Sequence, residues 1–282
     1  MPAHAAELIL ITLGAATING ALGYGFSSIT VPIALLFMSN RTLNPALILI
    51  EVPLNAWVLW VHRDVLRHIW RRFLPMVIGL VPGVVVGTLL VSRISPDWMK
   101  LGTYAVILPV ILFQAAGFRR PVQNERAIAV GFGGGVGLLY SLTTISGPPL
   151  AMWLNNQGLA KREFRAALGF VRLAESSMTA IAYFASGLFT SSSVALAPWI
   201  FPSVLIGVPI GARLIQASRP ETFRRVCMSF DAWIVGFGLS RLIHDLKIIP
   251  TNAAYLVLLA VVAVDAWLLY RFFARRLTPR PV

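Results

Sequence analysis

The chain is short of the residues from which soluble catalysts are built. A single cysteine, Cys227, excludes any intrachain disulfide. The four histidines, His4, His62, His68 and His244, lie near the ends of apolar segments without metal-ligand spacing, so no metal centre is expected. Neither a Gly-x-Ser-x-Gly elbow nor a phosphate-loop lysine occurs. Charged residues make up only 12% of the sequence, against about 25% in an ordinary soluble domain. Acidic residues are the scarcest: 11 Asp and Glu face 24 Lys and Arg, for a net charge of +13. A basic balance can mark a nucleic-acid binder. Here the arginines sit in short loops between apolar runs, which is the pattern of the positive-inside rule. No nucleic-acid partner and no cofactor are expected.

What is present is hydrophobic. Apolar residues account for 57% of the chain, too many for a soluble core, so a helical membrane protein is expected. No basic region precedes the first apolar run, so the N-terminus does not read as a cleaved signal peptide. Nine apolar segments stand out, at about 8–40, 45–61, 72–92, 98–117, 127–156, 167–187, 194–215, 223–242 and 252–272. Seven are near the ~20 residues that cross a bilayer. The first and fifth are longer, uncharged and interrupted by Gly, Ser, Thr and Pro. As one straight helix, 33 residues would reach about 50 Å across a hydrocarbon core of about 30 Å. If both long segments enter and return to the side they left, seventeen basic residues collect on one side and five on the other. Single crossings would give thirteen and nine. The first split obeys the positive-inside rule, placing the N-terminus outside and the C-terminus in the cytoplasm of a cell (inner) membrane protein.

The halves resemble one another. Gly20 and Pro32 align with Gly137 and Pro149 at an offset of 117, and Gly83 in Val-Pro-Gly matches Gly211 in Val-Pro-Ile-Gly. The expected fold is all-α: a polytopic helical membrane protein of two inverted repeats, each a broken re-entrant hairpin plus three spans, with one extra C-terminal span. Residues 1–118 form the first repeat, 119–126 a cytoplasmic linker, 127–245 the second repeat, and 246–282 the last span and basic tail.

Paired, interrupted hydrophobic segments point to a transporter's binding site. An unwound backbone inside a bilayer survives only where protein or a watery cavity surrounds it. Two helix N-termini facing such a cavity present free N–H groups and positive dipole ends to an anion. Ser28-Ile-Thr30-Val-Pro32 and Ser146-Gly147-Pro148-Pro149 both read as helix starts, with proline where its missing N–H costs nothing. The candidate substrate residues are Gly25, Ser27, Ser28, Thr30, Asn55, Thr143, Thr144, Ser146, Gly147 and Arg172. The glycines at 131, 133 and 134 read as helix-packing positions. Charges inside spans are rare and usually functional; here they are Glu51, Arg172, Glu175, Arg213, Asp231 and Asp265. At the 117 offset Asn55 matches Arg172. The Arg172 fork suits sulfonate or carboxylate oxygens, or it pairs with Glu175. Glu51 carries a coupling proton or makes a structural hydrogen bond, and Glu175 is the other coupling candidate. Acidic residues within both breaks would favour a cation permease, and the two breaks contain none. A lipid-acting intramembrane enzyme or accessory subunit would show a catalytic pair within one span, which is not found.

The Gly-rich break ending Val31-Pro32, the break ending Ser146-Gly147-Pro148-Pro149-Leu150, and the following Arg162-Glu163-Phe164-Arg165-Ala166 resemble the sulfite exporter TauE/SafE family of membrane permeases. The resemblance runs through nearly the whole chain. It implies a secondary transporter for a small sulfur-containing or organic anion, such as sulfite or a sulfonate. Transport would proceed by alternating access, coupled to a proton or sodium ion. It leaves a homodimer open.

Overall fold

A computed structural model describes residues 4–116, 124–217 and 220–277. Arg119, Arg120, Arg219 and Arg280 lie outside the described residues, as does most of the 119–126 linker. The described chain is helical: α1 (Ala5–Leu22), α2 (Phe26–Ala34), α3 (Asn40–Val61), α4 (Arg63–Arg93), α5 (Pro96–Ala115), α6 (Glu125–Thr143), α7 (Gly147–Asn155), α8 (Lys161–Ala185), α9 (Ser191–Val194), α10 (Ala197–Ala217), α11 (Pro220–Asp245) and α12 (Leu256–Leu277), the last preceded by a 3-10 turn at Asn252–Tyr255. Among the described residues, seven helices are long and apolar enough to cross a membrane. They include α1, the first arm of a broken segment. They omit α8, which carries Lys161, Arg162, Glu163, Arg165, Arg172 and Glu175. The outward faces are apolar, with Trp57, Trp60 and Trp98 among the most exposed side chains, as lipid contact and interfacial anchoring require.

Both long segments break and double back. The ring of His4, at the start of α1, lies 5.0 Å from that of Phe37, just past α2. Arg72 on α4 donates to Glu125 at the start of α6 (2.9 Å) and to Gln157 just past α7 (3.3 Å). Arg162 pairs with Asp64 at 3.0 Å. These contacts gather 62–72, 124–126 and 157–165 at one end of the molecule, which is rich in arginine.

The helix contacts are symmetric when the halves are exchanged. α1 packs on α10, and α6 packs on α4; α2 meets α11, and α7 meets α5; α3 crosses α8, and α5 crosses α11. Small residues permit the closest crossings. Gly79 and Gly83 on α4 lie against the α6 backbone at Val130 and Gly134, while Gly207 and Gly211 on α10 lie against α1 at Leu13 and Thr17. Gly133 abuts the Met76 carbonyl, whereas Gly131 faces open space and has no packing role. The central elements follow a different offset from 117. Both short helices and both following helices begin 121 residues apart, because α6 runs one turn further past its matched glycine than α1 does. At that offset Asn55 corresponds to Ser176, and Glu51 to Arg172.

Outside this symmetric set, α12 is tied to α11 by a buried ion pair. Arg225 donates to Asp265 at 2.7 Å and to Ser229 at 3.0 Å. Arg225 therefore belongs to a helix interface rather than to the loop charge in which the sequence count placed it.

Candidate functional site

The first break is made by glycine. Gly23 ends α1 in a left-handed conformation (φ 85°), its N–H returning to the Asn19 carbonyl at 2.7 Å, and Gly25 (φ 112°) precedes α2. α2 therefore starts at Phe26, so Pro32 lies inside the helix, and Ser28–Pro32 is not the helix start that the proline suggested. The second break is made by Thr144, a β-branched residue held at φ 57°, a conformation such residues rarely adopt. Its cost is met locally. The Thr144 N–H donates to Tyr140 O, the Thr144 hydroxyl to Thr143 O, and the Thr143 hydroxyl accepts from the Ile145 N–H. Thr143 and Thr144 thus spend their hydroxyls on the break itself. α7 begins at Gly147 with proline in its first turn, as its sequence suggests.

The two starts abut. A Cβ on Gly147 would lie 3.2 Å from Tyr24 Cβ and 3.7 Å from the Gly25 nitrogen. One side of this junction is a buried polar cluster. Glu51 on α3 accepts from Ser27, from Tyr140 (2.6 Å) and from Arg172 (2.9 Å). Glu175 accepts from Ser146 and lies 4.0 Å from Arg172 Nε. Asn55 donates to the Arg172 carbonyl at 3.4 Å. Glu51, Glu175 and Ser146 are fully buried. Two carboxylates share one guanidinium, and both Arg172 Nε and Glu175 Oε2 lack a hydrogen bond. Although neither break contains an acidic residue, the fold brings a carboxylate from a neighbouring helix to each. That corrects the argument against a cation site.

The other side is a cavity. Gly25, Ser28 and Pro148 line it together with Tyr24, Gln114, Arg224, Cys227 and Asp231. Its volume of about 10 Å³ holds roughly one water. Gln114 closes it, donating to Tyr24 OH at 3.3 Å and to Pro148 O at 3.4 Å. Beyond Tyr24 and Arg224 opens a vestibule of about 810 Å³ at the arginine-rich end, lined also by His62, Lys161, Arg162 and Arg165.

Of the sequence candidates, Gly25 and Ser28 reach the cavity and Gly147 sits at the junction. Ser27, Ser146, Asn55 and Arg172 join the buried cluster with Glu51 and Glu175. Thr30 is buried in α2 with its hydroxyl unpartnered. Asp231, one of the charges inside spans, also lines the cavity, whereas Tyr24, Gln114 and Arg224 are not among the sequence candidates. Gln114 carried a usable signal, as the one amide in the apolar run 98–117.

A family profile, sulfite exporter TauE/SafE, matches residues 8–239. The chain belongs to this family. The TauE/SafE match takes in both breaks, the buried cluster and the cavity, and stops before α12. A probable sulfite/organosulfonate exporter TauE from Cupriavidus necator is 28% identical over 250 residues, covering 83% of this chain and 95% of that protein. No solved structure gives a significant match. TauE/SafE membership makes the chain a multi-pass membrane transporter and not an enzyme.

Proposed function

We propose that the protein moves sulfite or an organosulfonate across the cell (inner) membrane by alternating access, with the anion held where α2 and α7 begin. The carrying observation is the convergence of these two helix N-termini on one cavity below a basic vestibule. The first turn of α2 offers free N–H groups there, α7 arrives through Pro148, which has none, and the dipole ends of both helices favour an anion. Ser28 adds a hydroxyl, and the vestibule cations concentrate anions at its mouth. In this conformation the cavity is too small for the substrate, so the Tyr24–Gln114 contact must part. The symmetric helix contacts support two inverted repeats that rock about the junction, with the arginine-rich end in the cytoplasm. Glu51 and Glu175 remain the coupling candidates, because one carboxylate is in excess of Arg172 and calls for a proton or sodium ion.

The experiment is flux in proteoliposomes across sulfite, organosulfonates, carboxylates and monovalent cations. Saturable movement of sulfite or a sulfonate, unaffected by excess carboxylate, is the expected result. The carboxylates at both breaks favour a second reading, a cation permease. Saturable cation flux without any anion requirement would select it.

A further inference from the structure

Asp231 is a buried carboxylate outside the Glu51–Arg172–Glu175 cluster. It lies on α11, is 8% exposed, and lines the cavity at the two helix starts with Gly25, Ser28 and Pro148. No hydrogen bond or ion pair reaches its carboxyl among the described residues. Arg224, seven residues earlier, lies on the same face of α11 about 10 Å nearer the vestibule. Cys227 and Met228 complete the stripe between them. The groups around Asp231 are few. The α1–α2 break contributes Tyr24, and α5 contributes the neutral Gln114. α1, α2 and α7 contribute no charged residue to the lining. Lys100 and Tyr104 of α5, with Asp97, Arg241 and Asp245, line a separate cavity elsewhere on the α5–α11 seam. Arg225 is held by Asp265 of α12. Tyr255, from the turn before α12, sits against His244 near the far end of α11.

An anion brought to the helix starts would meet this carboxyl at close range with little water between them. Two like charges in such a space are not tolerated together. We propose that Asp231 is the proton-binding group of the substrate cavity: its carboxyl takes up one proton for each anion that occupies the space at the two helix starts. This rests on the anion-site reading above. The proton comes from water in the vestibule, passes Arg224 and Tyr24, and adds to a carboxylate oxygen. The net charge brought into the cavity is then zero. Anion binding is strong at low pH, where Asp231 is neutral, and is lost as pH rises through its titration.

The test is equilibrium binding of methanesulfonate to the purified full-length protein between about pH 5 and 9, where the charge of that probe is fixed and only the protein titrates. For the unmodified protein, affinity should fall about tenfold per pH unit above the midpoint. Asp231→Asn should bind with little dependence on pH. Asp231→Glu should keep the slope and move the midpoint. A folded Asp231→Asn protein with the original slope, or with no binding, overturns the proposal. So does an Asp231→Glu protein that binds without a slope. Binding by the unmodified protein that ignores pH also overturns it, while leaving the anion site intact. Absence of methanesulfonate binding at every pH removes the anion site itself.

Discussion

Arg172 stands between two carboxylates but donates a hydrogen bond to only one of them, Glu51 at 2.9 Å, while Glu175 is 4.0 Å away. A lone arginine at bilayer depth costs roughly 2.5–3.5 kcal/mol on insertion scales, and leaving one member of a buried pair alone costs about 3–5 kcal/mol. Arg172→Gln should therefore reduce folded yield several-fold. Adding Glu51→Gln should restore more of it than adding Glu175→Gln, as read by size-exclusion yield and thermal melting. Equal rescue by both would mean that the guanidinium is shared evenly. The charges themselves were legible in the sequence, because an ionisable residue in an apolar span has few bland explanations. Their pairing was not. Glu175, three residues from Arg172, was the partner that local spacing suggested, whereas Glu51 lies 121 residues away and meets Arg172 only through the crossing of α3 and α8. Gln114 presents the same difficulty: its two partners belong to different breaks. Gln114→Leu should loosen Tyr24 and raise its hydrogen–deuterium exchange, with a stability loss of about 1 kcal/mol from the lost hydrogen bonds.

Among the elements, the breaks were readable because glycine and proline punctuate them, but the position of a helix start depends on which signal wins. At α7, Pro148 and Pro149 mark the first turn correctly. At α2, Gly23 and Gly25 supply the left-handed backbone that ends one helix and opens the next, and Pro32 is carried six residues into the helix. Positive φ at glycine outweighed proline's preference for a first turn. The 117 offset likewise followed the long-helix packing, as at Gly20 and Gly137, and missed the extra turn of α6 that shifts the central elements to 121. Gly147 sits where the two breaks touch, so a large side chain there must push Tyr24 and the Gly25 backbone aside. Gly147→Leu should abolish transport while membrane insertion and expression stay near normal. Full transport would make the junction a packing contact only. Gly83→Leu acts elsewhere, wedging α4 from the α6 backbone. It should lower the melting temperature by the equivalent of about 1–3 kcal/mol.

For the whole molecule, composition and loop charge carried the class: apolar spans, few charges, arginine at one end. The contacts of Arg72 with Glu125 and Gln157, and of Arg162 with Asp64, bring 62–72 and 157–165 together. Cysteines replacing Arg67 and Lys161 should both label only from the cytoplasmic side. Labelling of one from each side would dismantle the hairpin topology. The convergence on the cavity was not legible at this scale, since Tyr24, Gln114 and Asp231 come from three separate parts of the chain and meet only in the folded bundle. In the proposed mechanism a sulfur oxyanion sits where α2 and α7 begin. Anomalous diffraction from crystals grown with 2-bromoethanesulfonate tests this placement. A bromine peak is expected in the cavity between Gly25, Ser28 and Pro148, lost in Gly147→Leu crystals. A peak beside Glu51 and Arg172, or one confined to the vestibule with the helix starts unoccupied, would contradict it.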